Sequence, residues 1–292
     1  MNIAQTLRHA IALGVDRLDA QLLLLHTLGR AEHDRAWLLA HDTDEVAPEA
    51  QHSVQKSVLR RLAGEPVAYI TGRKEFYGLA LAVDARVLVP RPDTETLVDW
   101  VLEQLAPAAT STGPVDALGA SHGPTRTQRV IDLGTGSGAI ALALKHARPD
   151  VDVHAVDTST DALAVARANA QRLQLDVHFS QGSWLSGLSP ATDPFDVIAS
   201  NPPYIAALDE HLAALIHEPL QALASGTDGL DDIREIIAQA PSRLSPHGWL
   251  LLEHGYDQAE QVRSLLSAAG FAKVQSRNDL VGIERCSGGQ WC

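Results

Sequence analysis

Apolar residues recur at helical spacing through the first sixty positions. Ile3, Leu7, Ala10 and Ile11 share one face of a first helix. Asp16 is placed to cap a second helix through Leu18, Leu22 and Leu25, with Gly29 as its stop. Asp34 is placed to cap a third, holding Trp37 and Leu38. Pro48 starts a fourth, in which Val54, Val58 and Leu62 face one way and Gly64 ends the run. Four short amphipathic helices predict a small helical domain over residues 1–64. It is either a self-contained packing unit or a docking surface for a macromolecular substrate, and the pattern does not separate the two.

Gly64-Glu65-Pro66 breaks the helical period. Phe76, Leu79, Leu81 and Val83, with Gly72 and Gly78 as turn residues, predict a hairpin within a linking segment, residues 65–90. From Arg91 to Glu95 a loop with two prolines leads into a helix through Leu97, Val98, Val101, Leu102 and Leu105, its acids at the positive end. Arg91 and Glu95 either pair with neighbours or belong to a loop that covers a ligand pocket. Ala106–Gln128 is rich in Ala, Pro, Gly, Ser and Thr and reads as a flexible insertion.

Beyond it the period alternates. Arg129–Leu133, Val151–Val156, Val177–Phe179, Phe195–Ala199 and Trp249–Glu253 read as strands. Helices are predicted from Ala139, over Asp161–Leu173, and over Gln258–Ala269. Lys273–Ser276 and Val281–Arg285 read as a closing antiparallel pair, with residues 287–292 as a tail. The expected fold is α/β, a doubly wound and mostly parallel sheet over residues 91–286, carrying the small helical domain at its N-terminal side.

Composition narrows the function classes. Of 292 residues, 23 are Lys or Arg and 36 Asp or Glu, a net charge of −13. Such a chain is poorly suited to holding a long phosphate backbone, so no direct DNA binding is expected. The two cysteines, Cys286 and Cys292, and the scattered histidines show no zinc-type spacing, and no metal is expected. His211 and His217, which follow Asn201-Pro202-Pro203-Tyr204 in the chain, are read as surface residues. The start lacks a basic region followed by a long apolar core, and Leu22–Leu25 is too short to span a bilayer. A soluble cytoplasmic protein is the expectation.

Two stretches carry chemistry. Gly134-Thr135-Gly136-Ser137-Gly138 follows a strand and opens a helix, where glycines let backbone approach a ligand. Asp157, at the end of the next strand, is placed to accept from ribose hydroxyls. Both a dinucleotide and S-adenosylmethionine have such a ribose. The GxGxG spacing, with Asp132 leading into it, favours S-adenosylmethionine. Trp184 is either a core aromatic or one wall of an adenine pocket. The second stretch, Asn201-Pro202-Pro203-Tyr204, makes a stiff turn at a strand's carboxyl end. Asn201 Oδ1 and the Pro202 carbonyl are suited to accept the two N–H bonds of a planar nitrogen, with Tyr204 stacked on its flat face. That arrangement suits methyl transfer to an amide or exocyclic amine.

In this order the motifs resemble one family, the class I methyltransferases that modify the glutamine of peptide-chain release factors (PrmC/HemK). The resemblance runs over most of the chain. It includes Gly64-Glu65-Pro66, Glu75-Phe76-Tyr77-Gly78, Leu88 to Glu95, Asp132 to Gly138, Asn201 to Tyr204, and Glu218-Pro219 followed by Ala222-Leu223. It implies a seven-stranded Rossmann-like domain using S-adenosyl-L-methionine and releasing S-adenosyl-L-homocysteine. It implies that Gly134–Gly138, Asp157 and Trp184 contact that cofactor and that Asn201 touches cofactor and substrate. Pro202, Pro203 and Tyr204 would complete a pocket for the glutamine of the GGQ loop on class 1 release factors. The insertion is longer than the family pattern needs, and Glu284 stands where the family often has Asp.

Two competing classes remain. A nucleic-acid methyltransferase acting on adenine N6 or guanine N2 would need a target-recognition module and a basic channel. A cofactor-binding protein without activity would not need an intact Gly loop, Asp157 and Asn201–Tyr204 together. The chain also ends in Ser287-Gly288-Gly289-Gln290-Trp291-Cys292. Its GGQ is either coincidence or a weak pseudosubstrate for the Asn201 pocket.

Overall fold

The computed structural model describes residues 1–106 and 126–292. Most of the insertion expected over Ala106–Gln128 lies outside them.

Helices α1 (Ile3–Ala12), α2 (Arg17–Thr27), α3 (Arg35–Ala40) and α4 (Pro48–Leu62) open the chain. Asp16 Oδ1 caps α2 by accepting from Leu18 N at 2.7 Å. Asp34 makes no such bond. Packing secures α3 instead: the Arg30 guanidinium lies over the Trp37 ring, 3.6 Å from its centroid, and Trp37 stacks on His41. Ile3, Leu24, Leu25, Leu38, Val54 and Val58 meet in one apolar cluster.

The next segment holds more than a hairpin. A short helix α5 (Val67–Thr71) precedes it and ends at Gly72, φ +71°. Ala68, Tyr69, Ile70 and Thr71 are all buried. A five-residue helix covered on every side shows no amphipathic period, which is why the pattern missed it. Strands β1 (Arg73–Phe76) and β2 (Leu79–Ala82) then form the antiparallel hairpin.

After α6 (Glu95–Gln104) come β3 (Arg129–Leu133), α7 (Ala139–Ala147), β4 (Asp152–Asp157), α8 (Thr160–Leu173), β5 (His178–Gln181) and β6 (Phe195–Ser200). Next are α9 (Asp231–Gln239), β7 (Leu244–Glu253), α10 (Ala259–Ala268), β8 (Ala272–Asn278) and β9 (Glu284–Gln290). The seven strands lie in the order β5-β4-β3-β6-β7-β9-β8, and β9 alone runs against its neighbours. Strand alternation feeds two cores. Val130, Val197, Ala199 and Leu251 face a layer with α6 and α7, while Ile131, Leu133, Ile198 and Leu250 face α9 and α10. Strand order reverses between β3 and β6, so a crevice opens at their carboxyl ends.

β8 covers the expected Lys273–Ser276, but the last strand lies later than expected. Asp279 Oδ1 accepts from Val281 N at 3.0 Å and Ile283 N at 2.9 Å, building a turn where the pattern placed a strand start. Residues 287–290, expected as tail, are therefore part of β9. Gly288 pairs with Leu251 and Gln290 with Trp249. A Cβ on Gly288 would stand 2.4 Å from Leu251 Cδ2, and one on Gly289 would stand 2.8 Å from Phe271 Cβ. Both glycines are packing residues. Gln290 Nε2 donates to His247 O at 2.9 Å. It sits four residues from the Glu253 end of the ladder, or ~13 Å along the strand. The pseudosubstrate reading is thereby overturned.

Candidate active site

The glycine loop is pinned from below. Gly134 N and Thr135 N both donate to Val156 O, at 2.8 and 3.0 Å. Thr135 Oγ1 donates to Asp132 Oδ2 at 2.6 Å, and Ala141 N donates to the same oxygen at 3.2 Å. Burial pushes the Asp132 carboxyl up to about 7. Gly136 N donates to Asp157 Oδ2 at 2.8 Å and Ser159 N to Asp157 Oδ1 at 2.9 Å. Burial also raises Asp157, against these backbone hydrogen bonds. Gly134 takes φ +68°, and a Cβ there would meet the Trp184 ring at 3.2 Å. Trp184 itself holds φ +49°, a rare conformation for a large side chain. Its indole packs on the core cluster and also lines the crevice.

The second turn leaves β6. Ser200 Oγ donates to Leu133 O at 2.8 Å and ties β6 to β3 directly beneath it. Asn201 Nδ2 donates to Thr94 Oγ1 at 3.1 Å. Tyr204 O accepts from Gln258 Nε2 at 3.0 Å, and Gly229 permits its close approach, since a Cβ there would lie 2.2 Å from that oxygen. Burial, and then Glu253, raise the Tyr204 hydroxyl well above its ordinary value. It stays protonated at neutral pH.

Two further loops close the crevice. Glu218, buried, accepts from Val89 N at 3.0 Å with Oε2 and from Arg91 with Oε1. Arg91 thus pairs with a neighbour and also borders a pocket. Glu95 Oε1 accepts from Tyr77 N at 3.0 Å. His217 Nε2 lies 3.0 Å from Ala63 O, joining the Glu218 loop to the N-terminal helices, and exposed His211 pairs with Asp209.

These elements enclose two adjoining cavities. The larger, about 210 Å³, is walled by Gly134, Gly136, Asp157, Trp184, Asn201 and Pro203. The smaller, about 90 Å³, is walled by Leu88, Arg91, Asn201, Tyr204, Ile205 and Leu223. Asn201, with Leu88 and Ala222, belongs to both. Thr135 and Ser137 are buried and line a side cleft with Thr94 and Asn201. Gly138 lines neither cavity: its Cβ would stand 2.9 Å from Leu142 Cδ1, so it packs α7. Pro202 is buried and lines neither. Asp157, Asp232 and Glu235 bring three carboxyls to the larger cavity, while Arg86 there is already paired with Asp84.

Sequence reasoning missed Asn169, Glu253 and the role of Glu218. Asn169 and Glu253 are buried polar residues inside apolar patterns, and that interruption was the available signal. Away from the crevice, Asp152, His154 and His178 come within ligand reach of one another, but Arg129 Nε already donates to Asp152 Oδ2 at 2.9 Å.

The crevice at the switch point, the pinned glycine loop and the Asn201 turn define a class I methyltransferase. The "Methyltransferase small domain" family matches residues 117–268 and the "PrmC N-terminal domain" residues 2–72. The release factor glutamine methyltransferase of Bordetella pertussis is 48% identical, covering 94% of this chain and 95% of that relative. That of Coxiella burnetii is 44% identical, covering 92% and 90%. The chain belongs to the release factor glutamine methyltransferase family. A methyltransferase from Pyrococcus furiosus shares the fold, with TM-score 0.52 at 17% identity over 81% of this chain and 98% of that one. So does a 16S rRNA methyltransferase from T. thermophilus solved with AdoMet and guanosine, with TM-score 0.51 at 18% identity over 75% and 50%. Among the described residues no helix is long and apolar enough to cross a membrane.

Proposed function

We propose that this enzyme transfers a methyl group from S-adenosylmethionine to the side-chain nitrogen N5 of the glutamine in the GGQ loop of class 1 release factors. It would act where those factors work, in the cytoplasm. The observation that carries the reading is Asn201, the polar side chain shared by a nucleoside-sized cavity and a side-chain-sized one.

The larger cavity fits S-adenosylmethionine. Gly134 leaves room where the Trp184 ring would otherwise meet a Cβ. The Asp157 carboxyl keeps lone pairs for ribose hydroxyls beyond its two backbone donors. The carboxyls of Asp157, Asp232 and Glu235 complement a cation. When bound, that group supplies an electrophilic methyl on a sulfonium.

The smaller cavity supplies the nucleophile's frame. An amide nitrogen is a weak nucleophile, because its lone pair is conjugated with the carbonyl. Asn201 Oδ1 accepts one of its two N–H bonds and the Tyr204 ring covers its flat face, while Pro202, which lines neither cavity, stiffens the turn that carries them. Nitrogen gains an N–C bond, sulfur takes the electrons of the broken S–C bond, and one amide proton leaves to solvent. Positioning and acceptor dipoles carry the rate enhancement. The N-terminal helices offer contacts to the folded release factor beyond the one glutamine.

Incubation with labelled S-adenosylmethionine and release factor, duplex DNA or rRNA tests the assignment. Label is expected on release factor alone. Label on nucleic acid and none on release factor would contradict it.

A further inference from the structure

An asparagine amide offers an acceptor at one end and two donors at the other. Only the acceptor end can hold a substrate N–H. Here the donor end is already engaged: Asn201 Nδ2 donates to Thr94 Oγ1 at 3.1 Å, and the next strand sets the carboxyl of Glu253 beside the same amide. Glu253 ends β7, one residue past Leu252, the register partner of Ser200. It therefore stands beside Asn201 across the ladder. It is 1% exposed, and its Oε2 has no hydrogen-bond partner among the described residues. A buried carboxyl with an open oxygen costs stability, so its place beside the turn calls for a function. Turning Asn201 over would set Oδ1 against Glu253 and point two N–H bonds into the smaller cavity.

We propose that Glu253, together with Thr94, is a positioning residue that fixes the Asn201 amide with its oxygen toward the smaller cavity, so that the site accepts only nucleophiles carrying an N–H. The proposal rests on the reading of Asn201 given above. The titratable and charged groups facing Glu253 are Arg285 and Cys286 on β9, Asp93 ahead of α6, and Tyr204 in the turn. Arg285 Nε is shared with Asp279 Oδ2 at 3.2 Å and Asp93 Oδ2 at 3.8 Å, so among the described residues Glu253 has no cation of its own. Burial pushes the Glu253 carboxyl up to about 7, with Arg285 opposing and Asp93 reinforcing. Protonation turns one of its oxygens into a donor and loosens its hold on Nδ2. Turnover should then fall as pH drops through that range, to the level that Glu253→Gln shows at every pH.

Two substitutions and one substrate-free measurement test this. Glu253→Met keeps volume and removes both acceptors; Glu253→Gln restores one acceptor oxygen. With release factor as substrate, Glu253→Met should lower kcat about tenfold or more while KM stays within about threefold. Its Kd for S-adenosylmethionine should be unchanged. Glu253→Gln should recover kcat to within about threefold and lose the acid limb of the pH profile. Wild-type kcat in Glu253→Met, or an unchanged acid limb in Glu253→Gln, would overturn the proposal.

Hydrogen exchange at the Asn201 side-chain amide, followed by NMR without substrate, should be slow in the wild type. It should be about tenfold faster or more in Thr94→Val, the variant that serves if Glu253→Met does not fold. Equal exchange in the two proteins would overturn the orientation. A protected amide in a wild-type protein that leaves release factor unmethylated would remove the substrate reading and still support the orientation.

Discussion

Asn169 pairs with Ala82 as one strand residue pairs with another: its Oδ1 accepts from Ala82 N at 2.8 Å and its Nδ2 donates to Ala82 O at 3.0 Å. The same Nδ2 donates to Ser137 O at 3.0 Å. One fully buried amide on α8 thereby joins the hairpin edge to the glycine loop. Asn169→Ala removes the partner of Ser137 O, which is buried, and of Ala82 N and O, which lie on an exposed strand residue open to water. Unfolding by urea should show a loss of about 1–3 kcal/mol, the penalty for one buried unpaired group. A loss below ~0.5 kcal/mol would show that water replaces the side chain.

Asp157 carries two loads, since it orders Gly136 and Ser159 and also faces the larger cavity. Asp157→Ala should weaken S-adenosylmethionine by roughly 1.5–3 kcal/mol, the scale of hydrogen bonds to a charged acceptor, and leave a folded protein. Calorimetry is the direct measurement. Unchanged affinity would remove Asp157 from ribose recognition.

The buried carboxyl of Glu253 makes stability depend on pH with a definite sign. Burial raises it from 4.5 to about 7, so the folded state holds its proton where the unfolded state has released it. Its contribution is complete below pH 4.5 and is lost as pH rises toward the folded value. Glu253→Gln removes that dependence. Between pH 5 and 8 the wild type should lose stability relative to the variant, on the order of 3 kcal/mol for a shift of this size. Parallel urea curves at each pH would show it, and a constant difference across the range would refute it.

Gly288 has no room for a side chain. Gly288→Ala sets a Cβ against Leu251, Leu250 O and Trp100. It should cost about 1–3 kcal/mol, the usual scale of overpacking. Prolonged incubation with S-adenosylmethionine should leave Gln290 unmodified by mass spectrometry. A methyl group on Gln290 would mean that β9 detaches from the sheet in solution.

The period of apolar residues made the α/β alternation legible from Arg129 to Ala199 and again at Trp249–Glu253, because most of these strands have a short apolar centre; helix α9 between them was not predicted. Gly134, Gly136, Asp157, Asn201, Pro203 and Tyr204, which line the two cavities, were legible because their residue types are unusual at strand ends, whereas Gly138 and Pro202 line neither. What stayed hidden depends on tertiary contact. The α5 helix has no exposed face to set a period. β9 was placed early because Asp279 builds its turn through bonds to Val281 N and Ile283 N that composition does not show. Residues 287–290 looked like a tail because small polar residues seldom signal a strand, yet Gly288 and Gly289 are what let β9 fit between its covering helices. Asn169 and Glu253 act across 87 and 52 positions of sequence, on Ala82 and Asn201.

The most direct test is single-turnover methylation of intact release factor by wild type and Asn201→Ala, with the product located by mass spectrometry. The wild type should place one methyl on the GGQ glutamine and none on a factor carrying glutamate there, whose ionised carboxylate offers no proton to Asn201 Oδ1. Asn201→Ala should bind S-adenosylmethionine nearly as well yet react on the order of a hundredfold more slowly, as for loss of a preorganised transition-state contact. Near-normal turnover by Asn201→Ala, or methylation of the glutamate factor at the wild-type rate, would contradict the account.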